Sequence, residues 1–331
     1  MTTSFHFTQK DFVRWLKEFA IHLQAPAPGN LLILPPELGK GSIFAMAQGR
    51  DMSCIVMDFT LHCDFTFVRK ATSDYGILLF FNQVTVGDFF RLRSGNEVID
   101  ETTKSRSNIF MSSTDMELEI NYSKGTRLQR VGIYFSPNMV RKFVPESMRM
   151  NLNWYTKKGI KNVNRETINF ELKSILNEIF RTNLKDDFGR LVLQNRIWML
   201  TEKFFLNLIA KQPTKSDKAD SGRYPKTEDV VRIQTVERML TRADLDKFPS
   251  IETLSKMAMM SSTKLKAKFK EVYGMKLYEY YNRHRLLKAK EMITGGGTTI
   301  KEAAYSIGFS NLSNFSRAFK KEFGCLPGKI K

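Results

Sequence analysis

The sequence predicts an α+β chain of two domains, strand-rich in its N-terminal part and all-helical in its C-terminal part. Three observations predict it. From Leu31 to about Ser136, short runs of Phe, Val, Ile and Thr alternate with Gly, Asp, Asn and Ser, the pattern of many short strands. From Ser136 onward the apolar residues recur at helical spacing. Between two such helical stretches, Gln212–Thr227 is polar, with Lys, Ser, Asp, Gly and Pro and almost no apolar content, the composition of a linker. The expected boundaries are therefore 1–211 for the N-terminal domain (strands about 31–136, helices 137–211), 212–227 for the linker and 228–331 for the C-terminal domain.

Thr8–Gln24 reads as an amphipathic helix with Phe12, Trp15, Leu16, Phe19 and Leu23 on one side, ended by the turn-rich 25–30. Ten strands are expected, at 31–34, 42–47, 54–61, 64–70, 77–84, 90–93, 98–102, 108–112, 116–122 and 130–135. Many short strands at regular spacing suggest a sandwich or small barrel. Ser136-Pro137 opens a helix, with Ser as cap and Pro at the first position. Helices follow at 165–183 and 186–211. On the latter, Leu193, Ile197, Leu200 and Phe204 recur at coiled-coil spacing, which fits either a dimer seam or packing against the strands. Glu228–Thr241 opens the C-terminal domain with an apolar stripe through Val231, Val236, Met239 and Leu240.

Composition narrows the function classes. The 331 residues are 42% apolar and 12% aromatic, with a net charge of +18. Residues 247–331 hold 17 basic and 6 acidic side chains, so the excess concentrates at the C-terminal end. Cys54, Cys63 and Cys325 form no paired framework; Cys54 and Cys63 lie on apolar stretches and read as buried thiols. No start resembles a signal peptide and no run approaches ~18 apolar residues, which points to a reducing, cytoplasmic compartment and no membrane. Of His6, His22, His62 and His284, only His62 falls among the strands, too few to hold a catalytic metal, and no nucleophile–base order or phosphate loop appears. An enzyme is not expected, nor a cofactor. Phe44, Phe65, Phe67, Phe80, Phe81, Phe89 and Phe90 are either core or the lining of an apolar ligand cavity.

The C-terminal 80 residues repeat a pattern. Phe269-Lys270-Glu271-Val272-Tyr273-Gly274 returns as Phe319-Lys320-Lys321-Glu322-Phe323-Gly324, each preceded by a Ser-rich turn and a short apolar helix. In the second unit Thr298-Thr299 caps a helix over 300–307, Gly308 makes the turn, and Ser310 or Asn311 caps a helix over 312–323 with Phe315, Ala318, Phe319 and Phe323 inward. In the first, Ile251, Leu254, Met257 and Ala258 lead, Ser261 or Ser262 caps, and Leu265, Phe269 and Val272 face inward. Lys264, Lys266, Lys268 and Lys270 face out, as a solvated face or a DNA surface. A linker helix over 277–293 spans roughly 25 Å. Two helix-turn-helix units on a basic background suggest recognition helices about one DNA turn apart.

The stretch Ile300 to Gly324, with Arg285-Leu286 and Ala289, resembles the signature of the AraC/XylS family of bacterial transcription regulators. Ser255, Met259 and Leu326 depart from the family pattern. The resemblance implies base-contacting residues at Thr263, Lys264, Lys266 and Ala267 in the first unit and at Leu312, Ser313, Asn314 and Arg317 in the second, with Lys320 on the same surface. By their chemistry, Arg317 suits guanine, Asn314 adenine and Leu312 a thymine methyl. The resemblance also implies a cupin-like, jelly-roll β-barrel in the N-terminal domain and a homodimer through the helical tail. It further implies a regulator, most often an activator, that engages double-stranded DNA and RNA polymerase and responds to a small-molecule effector. Two alternatives remain: a regulator whose N-terminal domain only dimerises or binds a protein, and, remotely, a metal-dependent cupin enzyme fused to a DNA-binding module.

Overall fold

The fold is that of a computed structural model, which describes residues 4–9, 11–73, 75–101, 105–143, 146, 168–210, 227–242 and 247–330. By its internal contacts the chain divides into two units, Met1–Tyr224 and Pro225–Lys331. The expected linker, Thr227 excepted, lies outside the described residues.

The N-terminal unit is built on two sheets. One holds β1 (Ser4–Thr8), β5 (Phe65–Lys70), β10 (Leu118–Tyr122), β7 (Phe90–Ser94) and β8 (Glu97–Glu101), in that order. The other holds β2 (Leu31–Ile33), β3 (Gly39–Ala47), β4 (Met52–Leu61), β11 (Arg127–Phe135), β6 (Ile77–Thr85) and β9 (Ser105–Ser113). Each ladder is antiparallel except β1 with β5, which is parallel. Among the described residues no ladder joins the sheets and neither closes on itself, so the expected barrel is replaced by two open sheets. All ten expected strands are present within a few residues; β1 is an eleventh, not among those expected.

The six-stranded sheet is buried on both faces, which is why β4 is apolar almost continuously rather than alternating. On one face Ile43, Ile55, Met57 and Phe59 meet Phe65, Phe67, Leu92 and Tyr122 of the other sheet. Helix α1 (Phe12–His22) enters the same layer with Phe12, Trp15, Leu16 and Phe19. Asp11 starts α1 by accepting the Arg14 N–H at 2.8 Å. Gly132 on β11 makes room for it, because a Cβ there would lie 2.8 Å from Ile55 Cγ2 and 3.0 Å from the Phe12 ring.

The opposite face, with Val56, Leu79, Phe81, Val131 and Ile133, is covered by α3 (Phe170–Arg181) and α4 (Asp187–Ala210). A short helix α2 (Pro137–Phe143) follows β11. Leu193, Ile197, Leu200 and Phe204, the residues expected to form a dimer seam, pack here and are at most 4% exposed. Their coiled-coil spacing is used within the protomer, against its own sheet and α3, and is therefore not open to a second copy. The outer side of α4 instead exposes Phe188, Leu191, Trp198 and Leu206. Arg196 pairs with Glu178 at 2.5 Å and Lys203 with Glu171, tying α4 to α3.

Cys54 is fully buried and burial pushes its thiol up to about 12, an inert core thiol. Cys63 is half-buried rather than buried. Among the described residues no helix is long and apolar enough to cross a membrane, and no three His, Cys, Asp or Glu converge as metal ligands. His62 sits at 2.8 Å from the Pro36 carbonyl oxygen.

Candidate nucleic-acid interface

The C-terminal unit begins with α5 (Thr227–Leu240), whose buried stripe is Val230, Ile233, Val236 and Leu240. The expected stripe was offset at its start: Val231 is exposed and Val230 is inside. Two helix pairs follow, joined by α8 (Leu277–Thr294).

In the first pair, Ser250 caps α6 (Ile251–Ala258) by accepting the Thr253 N–H at 3.0 Å. The turn is made by Met259 at φ 49°, a left-handed conformation that disfavours a side chain. Arg232 of α5 donates to the Met259 carbonyl at 3.3 Å and so helps to hold the turn. Ser261 then caps α7 (Ser262–Tyr273), accepting the Lys264 N–H at 3.3 Å. Leu265, Phe269 and Tyr273 point inward, and the rings of Phe269, Tyr273 and Tyr280 of α8 cluster with centroids 4.8–5.4 Å apart. The Tyr280 hydroxyl donates to Glu237 at 2.7 Å, which satisfies a buried carboxylate. Burial and that carboxylate hold the Tyr280 hydroxyl well above the usual tyrosine range.

The second pair is more regular. Thr299 and Glu302 form a reciprocal box at the start of α9 (Ile300–Ser306): Thr299 Oγ1 accepts the Glu302 N–H at 3.2 Å and Glu302 accepts the Thr299 N–H at 2.8 Å. The Thr299 N–H and the Thr299 hydroxyl, both donating to that carboxyl at 2.8 Å, hold it below its usual range. Gly308 turns at φ 81°. Asn311 caps α10 (Leu312–Phe323), accepting the N–H groups of Ser313 and Asn314 at 2.8 and 3.1 Å. Ala289, Ala303 and Ala304 are fully buried, so α8 and α9 cross on small side chains, and Phe315 and Phe319 fill the space behind α10. Arg285 fastens α8 to this pair: it donates from Nε to the Ile307 carbonyl, and its guanidinium lies 4.9 Å from the ring centroids of both Tyr281 and Phe309.

These caps leave one outward face on each second helix. Thr263, Lys264, Lys266 and Ala267 are exposed on α7, and Leu312, Ser313, Asn314, Arg317 and Lys320 on α10. Arg317 Nη2 donates to Asn314 Oδ1 at 2.5 Å, so these two act as one polar pair. Lys264 is less free than its neighbours: its ammonium meets Asp229 of α5 at 2.9 Å. No local pattern announced that pairing, because Asp229 lies 35 residues away in another helix.

A family profile described as "Helix-turn-helix domain" matches residues 254–331. The probable transcriptional regulator LumQ of Photobacterium leiognathi is 34% identical over 87 residues, 26% of this chain and 35% of that protein. The HTH-type transcriptional activator RhaS of Escherichia fergusonii is 30% identical over 82 residues, 25% of this chain and 30% of that protein. This chain thus spans about a third of the length of these curated relatives. A solved structure, a probable AraC family transcriptional regulator from Rhodopseudomonas palustris CGA009, is similar over 30% of this chain and 94% of that one, at 28% identity and a TM-score of 0.27. With the signature carried on α8, α9 and α10, the match over 254–331 makes the C-terminal unit a helix-turn-helix domain of the AraC type.

Proposed function

We propose that this protein is a sequence-specific, double-stranded-DNA-binding transcription regulator that acts mainly as an activator, through contacts with RNA polymerase, in the cytoplasm. One observation carries the reading: two capped helices, α7 and α10, each present a polar, basic outward face from a rigid aromatic core. Arg317 and Asn314 are the base readers of α10, with Leu312 and Ser313 at its leading end and Lys320 on phosphate. On α7, Thr263, Lys266 and Ala267 face the groove, while Lys264, neutralised by Asp229, contributes orientation more than charge. The enzyme alternative finds no support in the relatives, which are transcription regulators by name.

The N-terminal unit serves sensing and dimerisation in this reading. Two facing sheets of five and six strands support a distant cupin-like relation without a closed barrel. The seam between two copies is the outer stripe of α4, where Phe188, Leu191 and Trp198 fall at coiled-coil spacing. The test is Arg317→Ala in the full chain. Affinity should fall by about 1–3 kcal/mol and preference should relax at one base pair. Equal weakening on every sequence would make Arg317 a phosphate contact and remove the base-reading role.

A further inference from the structure

The N-terminal unit holds a cavity between its sheets, beneath β1 and α1. Its walls are mainly aromatic, among them Phe12, Trp15, Phe67 and Phe80. Of the phenylalanines expected to line a cavity, Phe67 and Phe80 do so, whereas Phe44 and Phe81 face the helices and Phe89 faces solvent. Into this apolar space come three polar side chains: Gln9, Arg69 and Arg130.

Their hydrogen bonding is incomplete. Gln9 is 3% exposed and its Nε2 has no hydrogen-bond partner, a state that is costly for a buried amide. Arg69 is 4% exposed and donates to Met116 O, Ser112 Oγ and Ser113 O at 3.0–3.2 Å, all neutral acceptors. Burial lowers its guanidinium to about 9, opposed only by the field of Asp115. Arg130 donates to Asn82 and to the Tyr122 hydroxyl at 2.6 and 2.8 Å, and its guanidinium lies 5.0 Å from the Phe80 ring centroid. Among the described residues neither arginine has a carboxylate within ion-pair distance. Each guanidinium carries five N–H groups, so both keep donors to spare. The cavity therefore gathers surplus N–H donors and positive charge within carbon walls, and an anion with an apolar tail is the complement of that arrangement.

Size narrows the class. The cavity encloses about 50 Å³ of free space. One water needs about 10–15 Å³ on the same measure, so the room is for roughly three to five waters, which at about 30 Å³ each is the bulk of a chain of about six bonded heavy atoms. We propose that this cavity binds a short-chain aliphatic carboxylate, its head group held by Gln9 with Arg69 and Arg130 and its tail lying against the aromatic walls. The site gives a chemical class to the sensing role proposed above; only its effect at DNA rests on that role.

The test is calorimetry and thermal denaturation of the full chain with butyrate, butyramide and chloride at matched ionic strength. Butyrate should bind one per chain and raise the melting temperature, with butyramide and chloride inert. Gln9→Leu removes no protein hydrogen bond, so it should melt no lower than the parent yet bind butyrate at least about tenfold more weakly. Gln9→Glu keeps the shape, sets a carboxylate beside the arginines and should abolish binding. The site is refuted if the folded parent does not bind butyrate, if butyramide binds as well, or if both variants bind as the parent does. Butyrate binding that leaves DNA affinity unchanged would instead retain the site and remove its sensing role.

Discussion

Arg285 is the side chain through which α8 grips the second helix pair, and replacing it tests how that pair is held. Arg285→Leu removes a charged hydrogen bond to the Ile307 carbonyl and two guanidinium–aromatic contacts at 4.9 Å. A hydrogen bond to a charged group contributes about 1.5–3 kcal/mol. Each cation–π contact at a part-exposed site adds about 0.5–1 kcal/mol. The leucine returns some apolar contact, so the expected loss is about 2–4 kcal/mol. Arg285→Lys keeps the charge but neither the planar fork nor the stacking, and should lose at least about half as much. The assay is urea unfolding of the full chain followed by two probes. No tryptophan falls within residues 225–331, so fluorescence does not report the C-terminal unit, whereas far-UV dichroism reports both units. The variants should shift the dichroism transition and leave the fluorescence transition in place. A loss below about 1 kcal/mol for Arg285→Leu, or an equal shift of both probes, would refute the argument.

Gly132→Ala places a Cβ 2.8 Å from Ile55 and Phe80 and should destabilise the N-terminal unit by about 1–3 kcal/mol, read from the fluorescence transition. Leu200→Ala should cost about 2–5 kcal/mol of stability at any protein concentration, because it empties the protomer's own core. Trp198→Ala, on the outer side of α4, should cost below about 1 kcal/mol in the protomer and weaken self-association measured by sedimentation. Glu302 has a depressed pKa, so its cap stabilises above the unfolded value of 4.5 and that contribution is lost as pH falls through the folded value. The gap in urea midpoint between the parent and Glu302→Gln should accordingly close on going from neutral pH to about pH 3.

Local chemistry made most of the elements legible. Ser261, Thr299 and Asn311, each among the expected caps, do cap their helices, and Gly274, Gly308 and Gly324 take positive φ where a turn or helix end requires it. The exposed face of α10 followed directly from the burial of Phe315 and Phe319. What escaped was non-local. β1 alternates, with Phe5 and Phe7 stacked at 5.4 Å, but only over five residues, and its parallel pairing with β5 lies some sixty residues away. α4 is apolar on two sides, so spacing alone cannot say whether Leu193, Ile197, Leu200 and Phe204 or Phe188, Leu191 and Trp198 face the core. Counting strands likewise cannot say whether a sheet closes, because closure depends on shear and pairing partners. The unpartnered amide of Gln9 becomes visible only once β1 and α1 are folded over Phe67 and Phe80.

Whether α7 and α10 read DNA sequence is decided by random-sequence selection with the full chain at physiological salt. The selection should return one enriched motif with two fixed segments about ten base pairs apart, one of which loses a single position's preference in Arg317→Ala. Recovery of DNA with no enriched motif, or a motif unchanged by both Arg317→Ala and Lys266→Ala, would contradict base reading by these helices.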